Sequence, residues 1–289
     1  MARVSFADVK RVAVALGWVV LFWGLGLGLT YFGAMSLPAW GGPAWDVART
    51  GVLEVLAFGL LTVLIGRVLN KLSWPEMGWR RPTIAPLLRG VAVGALMASL
   101  AIGLAVVLGA RLHLTGDWSV WAGVAVPLII GLVFAALGEE LGFRGYPLRR
   151  LSDGLGVFPA MIVVGLPFAL LHVANPSVTV FSLANIFLAG IWLSIAFFSG
   201  GMPLAWGAHL GWNAGLAILF DAPVSGYAFH VPVVEYASGA HAWVDGGAFG
   251  PEGGIVATVA LVLGIVYLLT RKEAFSDQPS AVSQPVAAA

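Results

Sequence analysis

The chain has 289 residues, 60% of them hydrophobic and 10% charged, with a formal net charge of +1 and a mean hydropathy of +0.94. Soluble domains carry about 25% charged residues, so this composition excludes a soluble globular protein and points to a polytopic membrane protein. No basic patch is large enough to bind nucleic acid, and the absence of cysteine removes disulfides, thiolate metal sites and cysteine nucleophiles together.

Crossing the hydrocarbon takes about 17–25 apolar residues. Such runs fall near 12–34, 50–69, 90–110, 120–143, 157–175, 178–199, 203–221 and 253–270. The expected fold is therefore all-α, a bundle of about eight transmembrane helices. The first run exceeds the roughly 7–15 residues of a signal-peptide core, so it reads as a span. Within it Gly24 and Gly28 have the small-xxx-small spacing of a helix packing face.

Basic residues alternate sharply between the connections. One side holds Arg3, Lys10, Arg11, Arg67, Lys71, Arg80, Arg81, Arg89, Arg144, Arg149, Arg150, Arg271 and Lys272, and the other only Arg49 and Arg111. By the positive-inside rule both termini are cytoplasmic and the long connection 222–252 is external. That connection carries Glu235, Asp245 and Glu252 with no Lys or Arg, and its His230 and His241 read as solvated loop residues. Trp40, Trp45, Trp118 and Trp121 sit at span ends, as an interfacial aromatic belt requires. Residues 1–274 read as a single transmembrane domain. The tail 275–289, FSDQPSAVSQPVAAA, has the composition of a disordered cytoplasmic segment.

Few groups inside the spans ionise or bond strongly: Glu54, Glu139, Glu140, His172, Asn185, His209 and Asn213. A carboxylate in such a place costs about 2.5–3.5 kcal/mol on insertion scales, so each needs a partner or a function. Glu140 and Arg144 are i and i+4 with the acid first, the favourable order for a helical ion pair. Glu139 points about 100° away from Glu140 and has no local cation, which suits a general base. The bland alternative solvates both glutamates at the headgroup level. In FALLH, Phe168 and His172 share a helix face; in HLGWN, His209 and Asn213 do the same. Two converging N–H donors can stabilise an oxyanion, a contribution worth about 2.7–4 kcal/mol per donor in acyl transfer. Taken one at a time, His172 reads as an interhelical hydrogen-bond donor and Asn213 as helix packing. Glu54 has a bond to Asn185 as its plain alternative. No G-x-S-x-G or H-E-x-x-H occurs.

The pieces EELGFR (139–144), FALLH (168–172) and HLGWN (209–213) resemble the E-E-x-x-x-R, F-x-x-x-H and H-x-x-x-N motifs of the CPBP family. That family comprises CAAX-protease and bacteriocin-processing (Abi) membrane proteins, including the type II CAAX prenyl endopeptidases. The motifs occur in the family's order over roughly 120–221, the core extends to about 270, and FGPEGG (249–254) is also reminiscent. The resemblance implies an intramembrane endopeptidase acting on a membrane-associated peptide or protein, lipidated (CAAX-like) substrates included. Glu139 and His172 would activate water, His209 and Asn213 would bind the oxyanion, and Glu140, Arg144 and Phe168 would support them. The family is classed with metalloproteases. A metal-free glutamate mechanism is the preferred reading here, with zinc held by Glu139, His172 and His209 as the alternative. A non-proteolytic scaffold or self-immunity protein on the same fold, and a proton-coupled transporter, are the competing functions. The Ala-, Gly- and Arg-rich composition places the chain in a prokaryotic cytoplasmic membrane.

One conflict follows from the spans as drawn. His172 lies ~22 Å along the fifth span from its cytoplasmic end, whereas Glu139 and His209 lie near that end. A shared site needs Glu139, His172, His209 and Asn213 within ~8 Å of one point. The expected resolution is a fourth helix running on towards Arg149, a short or tilted fifth helix, and a cavity open to the cytoplasm.

Overall fold

A computed structural model describes residues 5–39, 41–231, 233–239 and 241–271. The tail 275–289 lies outside the described residues. Helix α1 (Phe6–Ser36) starts at a capping box in which Ser5 and Asp8 satisfy each other's backbone N–H groups. Helix α2 (Pro43–Leu61) continues through a π-helical stretch, Thr62–Leu69. Helix α3 spans Ile84–Val107 and α4 spans Trp118–Glu140. These helices turn apolar side chains such as Val20, Phe32, Leu56 and Leu96 outward, as a surface dissolved in lipid requires.

The fourth span does not end at 143. It runs on through a π-helical segment, Leu141–Leu148, into α5 (Arg149–Leu155), and every residue from Leu141 to Leu148 is buried. Pro147 has no N–H to give, so the ladder is interrupted where the helix widens. The Gly142 carbonyl finds its partner outside the helix, in the indole N–H of Trp23 at 2.8 Å. Arg144, counted from sequence with a basic connection, therefore lies inside the bundle and is fully buried. Helix α6 (Val157–Leu170) is correspondingly short, at 14 residues. The fifth span was drawn to 175, but its helix ends where Pro167 and the turns after Leu170 stop it.

Helix α7 (Val180–Ala214) looks like one element but folds back on itself. Gly200 and Gly201 leave helical geometry, and Gly201 takes φ 76°, which glycine tolerates and other residues rarely adopt. The Trp192 and Trp212 rings lie 6.2 Å apart, whereas twenty residues of straight helix would separate them by about 30 Å. The expected sixth and seventh spans are thus the two arms of a helical hairpin, with a π-helical end at Gly215–Leu219. With α9 (Ile255–Leu269), the described residues hold eight apolar helical segments, the build of an all-α multi-pass membrane protein.

The second arm of the hairpin lies directly on α3. A Cβ on Gly94 would fall 2.1 Å from the Ala208 carbonyl, and one on Gly211 would fall 2.2 Å from that of Val91. This small-residue seam fixes the position of His209. Gly24 and Gly28, expected to pack, meet nothing within 4 Å; on α1 it is Gly26 that faces a neighbour, Phe58. Connections alternate between the two ends of the bundle. Met202 at the hairpin tip donates its N–H to Gly78 of the α2–α3 connection. At the other end strand β1 (Arg111–Leu114) pairs antiparallel with β2 (Val234–Ala237), and Asn175 donates to the Ser225 carbonyl. The short helix α8 (Ala242–Asp245) completes that end.

Candidate active site

Glu140 is the centre of a buried network. Its Oε1 accepts from Arg144 Nη1 at 3.1 Å and from His209 Nδ1 at 2.9 Å, and both Glu140 and Arg144 are 0% exposed. Arg144 Nη2 also donates to the Gly190 carbonyl on the first arm of α7 at 3.3 Å. Its guanidinium carbon lies 4.2 Å from the Phe168 ring centroid, a cation–π contact. One ion pair thereby joins α4, both arms of α7 and α6. The i, i+4 pairing expected from sequence is present, and the wide turn beginning at Leu141 carries Arg144 inward rather than to the surface.

Phe168 is the shared wall of the two histidines. Its ring meets His172 edge-on at 5.2 Å and His209 at 6.2 Å. His172 Nδ1 lies 2.8 Å from the Phe168 carbonyl. A carbonyl only accepts, so Nδ1 carries the proton and Nε2 keeps a lone pair. His209 Nδ1 likewise carries a proton, which it donates to the ion-paired Glu140 carboxylate, and its Nε2 faces elsewhere. That Nε2 stands 3.8 Å from Glu139 Oε2, beyond hydrogen-bond reach. Glu139 Oε2 is itself buried without a hydrogen-bond partner among the described residues.

Phe168, His172, His209 and Asn213 line one cavity, whose apolar wall is Ile186, Ala189, Trp192, Leu193 and Leu261. The structure therefore brings three of the four expected catalytic side chains to one cavity and sets Glu139 beside His209. Glu54 packs on α4 where Gly138 has no side chain. It does not bond Asn185. The Asn185 amide N–H group donates to the Glu252 and Gly254 carbonyls at 2.8 and 2.9 Å, and its oxygen accepts from Thr258 at 2.6 Å.

Sequence reasoning gave no role in the site to Ser225 and Glu252, which also line the cavity. Glu252 accepts from the Trp212 indole N–H at 2.9 Å and from Ser225 through its backbone N–H and, at 3.3 Å, its hydroxyl. The FGPEGG stretch was the available signal, but the carboxylate in it was read as a loop charge. Among the described residues no group of three or more His, Cys, Asp or Glu stands in position to hold a metal ion.

Fold and site are those of a multi-pass membrane protein with a polar, hydrogen-bonded cavity inside its bundle. Residues 121–215 match the family model described as type II CAAX prenyl endopeptidase Rce1-like. All three motifs lie in that segment, so the family read from them is borne out there. The chain is 34% identical over 79 residues to CAAX prenyl protease 2 of Methanococcus maripaludis, a match covering 27% of this chain and 29% of that relative. No solved structure matches the chain.

Proposed function

We propose that the protein is an intramembrane endopeptidase in which Glu139 and His172 activate a water and His209 and Asn213 bind the tetrahedral oxyanion. The observation that carries this reading is the convergence of His172, His209 and Asn213 on one cavity with Glu139 beside it. The Glu139 carboxylate and His172 Nε2 are the two acceptors left for a water proton. As that proton leaves, the water oxygen bonds the peptide carbonyl carbon and the carbonyl oxygen takes the negative charge. Asn213 Nδ2 donates to it. His209 Nε2 donates as well when the ring carries both protons, a state that the Glu140 carboxylate on Nδ1 supports. Collapse breaks the C–N bond, and the amine leaves with the proton the base had taken. Glu140, Arg144 and Phe168 position His209 and touch no reacting atom.

The relative's name gives the substrate class proposed for this chain: a membrane-held peptide, prenylated CAAX-like ends included. The proposed setting is a prokaryotic cytoplasmic membrane with both termini cytoplasmic, the β1–β2 end external and the cavity opening to the cytoplasm. Purified protein with a fluorogenic peptide library, with and without a prenyl group, tests the activity. Cleavage lost in Glu139→Ala is the expected result; cleavage retained by a folded Glu139→Ala rejects the mechanism. Since the chain has no cysteine, Ser238→Cys labelled by an impermeant thiol reagent only from the cytoplasmic side rejects the orientation.

A further inference from the structure

Part of the cavity wall is built by groups for which the proposed reaction has no use. Ser225 and Gly226, with φ 49° and 91°, form the two-residue turn that closes the Val224–Tyr227 bridge. Three holds fix this turn. Asn175 donates to the Ser225 carbonyl at 2.9 Å, Gly226 N–H donates to the Phe249 carbonyl at 3.0 Å, and Glu252 accepts from Ser225. Of these residues, Ser225 and Glu252 line the cavity. The other oxygen of Glu252 takes the Trp212 indole N–H. Trp212 is three residues after His209 and one before Asn213, so His209, Trp212 and Asn213 share one helix face at i, i+3 and i+4. Trp212 lines the cavity together with His209 and Asn213.

The backbone of Glu252 is clamped independently. Asn185 binds the carbonyls of Glu252 and Gly254, and Thr258 satisfies the Asn185 oxygen. Loss of the Glu252 carboxylate therefore frees the Trp212 indole N–H and removes one of the three holds on the Ser225 turn, while the start of α9 stays in place.

We propose that Glu252 is a positioning residue that sets specificity: by fixing the Trp212 indole and the Ser225–Gly226 turn, it defines the closed end of the apolar compartment. It thereby limits the size of the apolar side chain accepted beside His209 and Asn213. This rests on the cavity being a peptide site, as proposed above. Glu252 acts through Trp212 and Ser225 and does not touch the reacting atoms.

Two measurements test it. The first needs no turnover. Ala189→Cys on the apolar wall is labelled with sulfonatoethyl methanethiosulfonate applied from the β1–β2 side, with Glu252 intact, with Glu252→Ala and with Trp212→Phe. Labelling at least about tenfold faster in either variant is expected from release of the closed end. Rates within about twofold of each other in all three overturn the proposal. The second compares cleavage of peptides carrying Ala, Leu or Phe beside the scissile bond. In Glu252→Ala and Trp212→Phe the Phe-to-Ala ratio of kcat/KM is expected to rise about tenfold, mainly through KM. Glu252→Gln keeps an acceptor for Trp212 but turns an amide N–H group on the Ser225 N–H, so it should fall between. An unchanged ratio, or an equal loss of kcat on every peptide, overturns the proposal. Should the native protein cleave none of the peptides, the endopeptidase reading fails, and the labelling rates alone still decide whether Glu252 closes the cavity.

Discussion

The two walls of the cavity hold their carboxylates by opposite means. On α4, Glu140 is 0% exposed and bound to a guanidinium and an imidazole, with an aromatic face covering the cation. On the wall before α9, Glu252 is partly exposed and bound by an indole, a backbone N–H and a hydroxyl, all neutral donors. A buried ion pair offsets its desolvation only while every partner is present, so the first wall tolerates no single loss. Hydrogen bonds to a partly solvated carboxylate can be exchanged for water, so the second wall is adjustable. The proposed hydrolytic site needs both: rigid placement where charge develops and adaptable shape where a side chain is read.

The largest effect expected lies with the groups that neither wall has committed. Glu139→Ala and His172→Ala should each lower kcat by about 10²–10⁴, the range for loss of a general base, with little change in thermal midpoint. Glu140→Ala should instead show itself first in stability. A folded Glu140→Ala that is inactive, beside an active Glu139→Ala, would reverse the two glutamates and break the distinction between a structural and a reactive carboxylate.

Next comes the difference in tolerance itself. Arg144→Ala leaves Glu140 buried with His209 as its partner in place of two, and should cost about 3–5 kcal/mol. Trp212→Phe, which removes one donor from Glu252, should cost about 1.5–3 kcal/mol at most. Denaturation in one detergent at fixed pH measures both, and equal losses would erase the contrast between the walls.

How much of this was legible in the sequence follows from what each signal averages over. Hydropathy reports mean polarity along a window, so it located eight apolar segments even though two of them share one helical hairpin. It misplaced Arg144 because a basic residue after an apolar run looks like a loop, and only the wide turn at Leu141–Leu148 shows that the helix continues. Glu140 and Arg144 were legible because their pairing is local, within one helical turn. Glu252 was not: its partners Trp212 and Ser225 are 40 and 27 residues away, and nothing local distinguishes it from a solvated acid. The glycines show the same limit. Gly24 and Gly28 have the same spacing as Gly90 and Gly94, yet only the second pair meets a neighbouring helix. Spacing gives a face; tertiary structure decides what lies opposite.

Asn213→Ala tests whether the second arm of α7 does more than pack. Loss of one oxyanion donor should lower kcat by about 10²–10³ with KM little changed. Asn213 lines the cavity itself, whereas Asn185 on the first arm is spent on the start of α9. Asn185→Ala should therefore lower the thermal midpoint and shift peptide preference in the direction of Glu252→Ala. If both asparagines behaved alike, the polar and apolar walls would not be separable.

The smallest effect concerns Asp221, which braces the connection carrying Ser225. Its Oδ1 accepts from Val231 N–H at 2.8 Å. Burial pushes its carboxyl above the ordinary value of 3.8, and nearby Glu235 adds to that, while the Val231 N–H and His230 pull the other way. An acid raised in the folded state binds more protons folded than unfolded, so stability falls as pH rises through the window above 3.8. The penalty is fully present above the raised folded value and absent below 3.8. Asp221→Asn keeps an oxygen for Val231 without the charge. It should raise stability at neutral pH by less than about 1 kcal/mol, because the group is partly solvated. Thermal midpoints of the two proteins should draw together as pH falls, since protonated aspartate and asparagine are both neutral. A midpoint lowered by Asp221→Asn at neutral pH would mean that the carboxylate's hydrogen bond outweighs its burial. The second wall would then depend on a charge much as the first one does.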